Sequence, residues 1–177
     1  MSSPTKARKS TKQLTGGCAC EAIRYTLTAA PLIVHACHCR DCQRLTGSAF
    51  VINLWMERKF VEGADAKLKS FKLAGGTGKP HEVFFCRDCG VYLWSVYSGA
   101  PGDFLFVRAG TLDDPRAVTP DVHIFTRSKL PWVRLPTDAP AFNAFYPIAK
   151  VWSAESLARL RQKPRRIVRA AATAPSG

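Results

Sequence analysis

No run of apolar residues in this chain approaches the roughly 20 needed to span a bilayer, so no membrane-spanning helix is expected. The first residues, Met1-Ser2-Ser3-Pro4-Thr5-Lys6, also hold no apolar stretch of the kind a secretion signal needs. The expectation is a cytoplasmic, reducing setting with no membrane partner. Acidic residues are scarce, 13 against 26 lysines and arginines, which leaves a net charge of +13. Helix signals are few. Cysteine is absent everywhere except in three short segments, and those segments carry most of the information.

The charge is unevenly spread. Residues 1–13 carry Lys6, Arg8, Lys9 and Lys12 with no acid, and residues 155–177 carry six basic residues against Glu155. The middle of the chain is nearly balanced. Two readings follow: solvated ends that help solubility, or phosphate-backbone contact with nucleic acid. Solvated ends are the expectation, because charge is the only nucleic-acid feature present.

An apolar content of 46% suits a globular protein. The expected organisation is a basic N-terminal tail over 1–13, one domain over 14–153, and a helix with a basic tail over 154–177. Short β-rich runs recur with glycine and proline between them. They predict strands at 22–27, 32–36, 49–55, 68–73, 82–85, 92–97, 104–108 and 122–125. A single helical turn is expected over 41–45. Ser153 followed by Ala154–Leu160 reads as an N-capped helix. Four prolines between Pro131 and Pro147 predict an ordered but irregular wrap. Trp55, Trp94, Trp132 and Trp152 are expected in the core.

The seven cysteines fall as Cys18-Ala-Cys20, Cys37-His-Cys39-Arg-Asp-Cys42 and Cys86-Arg-Asp-Cys89. An odd count opposes a complete disulfide framework, and a reducing compartment opposes disulfides generally. Thiolates two or three residues apart can share one ion, with Zn–S distances of about 2.3 Å. Tetrahedral zinc takes four ligands, so seven divides into four plus three. Four thiolates close a structural site, while three leave a position open, as catalytic sites do.

Cys18/Cys20 with Cys86/Cys89 would clamp an early strand to a late hairpin, although spacing alone also allows Cys18/Cys20 to join the central segment. Cys37, Cys39 and Cys42 would form the second site. Its fourth position is open to water, a substrate thiol, or His35 or His38 in a closed alternative. His38 sits between two ligands and is read either as a helper behind the metal or as a surface residue without a role. His81 and His123 are isolated and expected to be structural. Arg40, Asp41 and Arg44 flank the central cysteines; they could recognise carboxylates, and exposed charge near a turn is the expectation.

Three stretches together are similar to the glutathione-dependent formaldehyde-activating enzyme family, which is grouped with the centromere protein V proteins. They are Gly17-Cys18-Ala19-Cys20 leading to Ile23-Arg24-Tyr25, Cys37-His38-Cys39-Arg40-Asp41-Cys42-Gln43-Arg44-Leu45-Thr46-Gly47-Ser48, and Phe85-Cys86-Arg87-Asp88-Cys89-Gly90. His123-Ile124-Phe125 to Pro131-Trp132 resembles its usual tail. The resemblance implies a mainly β, zinc-stapled β-tent fold, here with one short C-terminal helix. It implies a structural zinc at Cys18, Cys20, Cys86 and Cys89, and a second, labile zinc at an active site of Cys37, Cys39 and Cys42. Glu21 departs from the pattern, standing where members usually carry glycine. The implied activity joins glutathione to formaldehyde as S-hydroxymethylglutathione, a carbon–sulfur lyase reaction, with a small thiol as partner. The alternative is a non-enzymatic zinc module whose basic tails contact nucleic acid or an acidic partner.

Overall fold

The computed structural model describes residues 13–63, 67–76, 78–100 and 103–161. The basic stretches 1–12 and 162–177, on which the tail readings rest, lie outside the described residues. Among the described residues ten strands and three short α-helices follow in order: β1 (Leu14–Gly17), β2 (Arg24–Leu27), β3 (Ile33–Cys37), α1 (Arg40–Thr46), β4 (Val51–Glu57), β5 (Val61–Glu62), β6 (Leu68–Ala74), β7 (Pro80–Cys86), β8 (Tyr92–Tyr97), β9 (Phe104–Arg108), β10 (Val122–Ile124), α2 (Ile148–Val151) and α3 (Ala154–Arg161). The protein is mainly β. Seven strands form one sheet in the order β10-β3-β4-β9-β8-β7-β6, and β1-β2-β5 form a small one. Among the pairings, β10 with β3 is parallel and the others are antiparallel.

The central strands are apolar at nearly every position, as a sheet covered on both faces requires. Val34, Leu54, Met56, Leu105 and Val107 enter one core cluster, and their chain neighbours Ile33, Trp55, Phe104 and Phe106 enter another. Successive side chains on a strand point to opposite faces, so the large sheet separates two cores. Cys18 and Cys86 belong to the first core, Cys37 and Cys42 to the second. The two groups of cysteines are thus kept on opposite sides of one sheet.

Each strand expected from periodicity is present; 92–97 and 104–108 keep their expected ends, and the others shift by one or two residues. β1 and β5 were not expected. Leu14-Thr15-Gly16-Gly17 has no alternation to read, and it becomes a strand by pairing with β2 from Leu14↔Leu27 to Gly17↔Arg24. A side chain at Gly16 would collide with the Thr111 carbonyl and the Tyr25 hydroxyl. The single turn over 41–45 is a helix over Arg40–Thr46, ended by Gly47 at φ 62°.

The proline-rich wrap runs beside β10, with His123 N–H donating to Pro140 O at 2.8 Å and Phe142 N–H to His123 O at 2.9 Å. From it Tyr146 reaches the second core, where its hydroxyl meets His35 Nε2 at 2.5 Å and accepts from Trp152 Nε1 at 2.8 Å. Trp55, Trp94 and Trp152 are buried as expected, but Trp132 is 70% exposed. The wrap turns that ring outward, so apolar character alone misplaced it. Ser153 Oγ caps α3 by accepting from Ser156 N–H at 3.1 Å. Leu157 and Leu160 then pack on the second core. Among the described residues no helix is long and apolar enough to cross a membrane.

Candidate metal centres

Two turns of the same design carry the first cysteine group. Cys18 N–H donates to Ile23 O at 3.0 Å and Glu21 N–H to Cys18 O at 3.1 Å; Cys86 N–H donates to Val91 O and Gly90 N–H to Cys86 O, both at 3.0 Å. Each turn presents two sulfurs. Cys18 Sγ lies 3.5 Å from Cys20 Sγ, which lies 3.7 Å from Cys86 Sγ. Zinc–sulfur bonds of about 2.3 Å in a tetrahedron place sulfurs about 3.8 Å apart, so these separations fit a shared ion. All four sulfurs lie within 4.8 Å of one another, and all seven cysteines are free thiols. Cys18 and Cys86 are buried while Cys20 and Cys89 are exposed. The Val91 amide first, then hydrogen bonds from Cys20 and Cys86, pull Cys89 down to about 6 against desolvation. A thiol set this way yields its proton readily to a metal.

The second group sits where β3 passes into α1. Cys37 ends β3, Cys39 is the N-cap of α1, and Cys42 lies in its first turn. Cys39 Sγ accepts from Cys42 N–H at 3.4 Å, so the helix start orients two of the three sulfurs. The three sulfurs lie within 4.8 Å of one another, and no histidine, aspartate or glutamate among the described residues joins them. Hydrogen bonds from Cys37 and Cys42, and the amides of Cys42 and Asp41, hold Cys39 far below the ordinary thiol range despite desolvation. Cys37 is held up by its hydrogen bonds to Cys39 and Cys42 and by burial. Burial and mutual repulsion thus oppose full ionisation of the trio, which a bound cation would offset. Thiol donors at this reach suit a soft or borderline ion such as zinc.

The histidines proposed as a closing ligand each direct one ring nitrogen elsewhere, and His38 Nδ1 is buried without a partner among the described residues. His35 Nε2 meets Tyr146, and His38 Nε2 lies 3.0 Å from His123 Nδ1 with the two rings stacked. His38 is completely buried, which rules out the surface reading, and His123 is its partner rather than an isolated residue. Gln43 ties the helix down, its Nε2 donating to His38 O at 2.8 Å and Ser128 O at 2.9 Å. Asp41 Oδ2 accepts from Gly76 N–H at 2.9 Å, fastening the β6–β7 hairpin to the same helix. Arg40 and Arg44 are exposed.

A polar group that spacing could not disclose stands on the same face of the sheet. Cys37 pairs with Val51, and Asn53, two residues on, pairs with Arg108. Arg108 is buried, and its Nη atoms donate to Asn53 Oδ1, Tyr92 Oη and Ser95 Oγ. Its guanidinium lies 4.0 Å from the centre of the Tyr92 ring. His81 is also buried, stacked on Tyr97 at 3.9 Å, with Nε2 unpartnered among the described residues. Desolvation first, then the charge of Arg108, lowers His81 to about 4.

The model of the glutathione-dependent formaldehyde-activating enzyme family matches residues 13–128. A crystal structure of a Rhodobacter sphaeroides protein aligns with a TM-score of 0.43 at 20% identity, covering 58% of this chain and 93% of that one. That likeness is too slight to carry any inference about the site. No curated protein matches the chain.

Proposed function

This chain belongs to the glutathione-dependent formaldehyde-activating enzyme family, and from that premise we propose that it is a zinc-dependent carbon–sulfur lyase joining a small thiol, glutathione first among them, to formaldehyde or a related aldehyde. Cys37, Cys39 and Cys42 would hold the exchangeable ion, and Cys18, Cys20, Cys86 and Cys89 the structural one. The observation that carries the reading is the contrast between the two groups. One offers four sulfurs and is complete; the other offers three, with no fourth protein donor in reach among the described residues.

Zinc in the second group would supply a place for an incoming sulfur as thiolate and would polarise a carbonyl. The chain supplies the rest. The N-cap geometry of α1 orients Cys39 and Cys42, the buried flank of Cys37 keeps bulk water from one side, and Gln43 fixes the helix that carries them. In the reaction the thiol sulfur bonds to the aldehyde carbon, the carbonyl π bond breaks, and the thiol proton passes to the oxygen. Bringing thiol and aldehyde together is a large part of the acceleration available.

The test is proton NMR of S-hydroxymethylglutathione formation above the spontaneous rate, with other small thiols as competitors. Cys39→Ser should remove the enzymatic component while leaving the protein folded. A rate no faster than the uncatalysed one, with both metals bound, overturns the proposal.

A further inference from the structure

A guanidinium is among the costliest groups to bury, and Arg108 is only 4% exposed. It sits at the end of Phe104-Leu105-Phe106-Val107-Arg108, a strand whose every residue is buried. The usual compensation is a carboxylate, yet no carboxylate forms an ion pair with Arg108 among the described residues; its acceptors are three neutral oxygens. Arg108 Nε has no partner among the described residues. Neutral acceptors orient a cation but leave its charge uncompensated. The compensating charge must come from elsewhere on this face of the sheet.

The register supplies it. Asn53, which holds one end of the guanidinium, is the diagonal neighbour of Cys37 across β3 and β4, and such neighbours lie within reach of long side chains. Tyr92 and Ser95 of β8 hold the guanidinium from its other side, so it stays fixed beside Asn53. A divalent ion on three thiolates carries a net charge of −1. We propose that Arg108 is the buried counter-charge of the Cys37/Cys39/Cys42 centre, a positioning residue on another strand that sets how tightly the three thiolates hold their ion and how readily they accept a fourth. The proposal rests on the reading that this group binds the exchangeable metal.

The electrostatics give the sign. Without the cation the three-thiolate complex is an uncompensated buried anion, and ion and protons compete for the sulfurs on worse terms. A fourth thiolate raises the surplus to −2 and leans on the cation harder. The four-cysteine centre lies across the sheet with two exposed ligands and should not respond. At an effective dielectric near 20, one unit charge several ångströms away corresponds to about tenfold to hundredfold in affinity.

The experiment is competition for zinc by a chromophoric chelator, with cobalt absorption as a second readout, on the full chain. Arg108→Met should release the weaker-bound metal at about tenfold or more lower chelator concentration, with the tighter one unchanged. Arg108→Lys, which keeps the charge but not the fork, should stay within a few-fold of the native chain. Tyr92→Phe, which removes one acceptor and no charge, should also bind as the native chain does. Native-like affinity in Arg108→Met, or a Lys variant as weak as the Met variant, overturns the proposal. If Arg108→Met does not fold, Arg108→Gln replaces it under the same criterion. A native chain that takes up only one metal refutes the underlying site assignment before any variant is read.

Discussion

Glu21 and Gly90 occupy the same place in two facing turns. Each follows the second cysteine of its pair, and each has a left-handed backbone, at φ 61° and 73°. Glycine adopts that conformation freely, whereas a side chain there costs about 1–2 kcal/mol. Glu21 is therefore a strained copy of Gly90. The turn keeps its shape because Cys18 and Ile23 hold each other, Cys18 N–H to Ile23 O and Ile23 N–H to Cys18 Sγ at 3.3 Å.

Replacing Glu21 with glycine should stabilise the protein by about 0.5–1 kcal/mol once the greater freedom of the unfolded chain is allowed for. Thermal unfolding of the zinc-loaded protein reads it. A lower midpoint would mean that the Glu21 side chain contributes more than its backbone costs.

Arg159 grips Glu57 from α3, Nε to Oε1 at 3.0 Å and Nη2 to Oε2 at 2.6 Å, and donates to Ala30 O at 2.9 Å. Both side chains are largely shielded, at 18% and 11% exposure. Removing one partner leaves the other buried and unpaired. Arg159→Ala should cost about 3 kcal/mol, or roughly 6–12 °C in midpoint for a chain of this size. An unchanged midpoint would show that α3 is not held by this pair.

His35 predicts a pH dependence. Its ring is packed against Trp55, Phe145 and Tyr146, and desolvation lowers it from 6.5 to about 3. As pH falls, the unfolded chain takes up this proton before the folded one does. The contribution is complete above 6.5 and is lost between 6.5 and 3, at about 1.4 kcal/mol per pH unit. Denaturant unfolding from pH 7.5 to 5 with zinc in excess should show the decline, and His35→Phe should make it shallower, the remainder belonging to His38, His81 and His123, which burial also lowers. An equally steep slope in that variant would assign the decline to other groups.

The cysteine groups were legible because donors for one ion often come in pairs close in sequence, and Cys-x-Cys and Cys-x-x-Cys announce such pairs locally. Strands were legible for the same reason, since alternation is local. Arg108, Asn53, Tyr92 and Ser95 come from three different strands, and register alone brings them together. The one available signal was a charge closing the apolar run Phe104–Val107. The His38–His123 contact is likewise produced by a parallel pairing across 85 residues, which no spacing rule reaches. Trp132 failed in the opposite direction, because hydrophobicity says what can be buried and not what is.

The two cysteine groups should separate under mutation. Cys89 is exposed, yet its sulfur completes a set whose other members include buried Cys18 and Cys86 in the first core. The turns that carry these residues belong to elements 66 residues apart, so without the ion little but packing holds the small sheet to the hairpin. Metal affinity is folding energy in such a site. Cys89→Ser should lose one metal and most of its cooperative unfolding. Cys42→Ser removes a ligand from a site anchored instead by β3, by α1 and by the hydrogen bonds of Gln43, so it should lose one metal and keep a transition near that of the native chain. Metal content and calorimetry on the two variants decide it. A Cys89→Ser protein that unfolds at the native temperature would remove the clamp, and a Cys42→Ser protein that fails to fold would make the second group structural too.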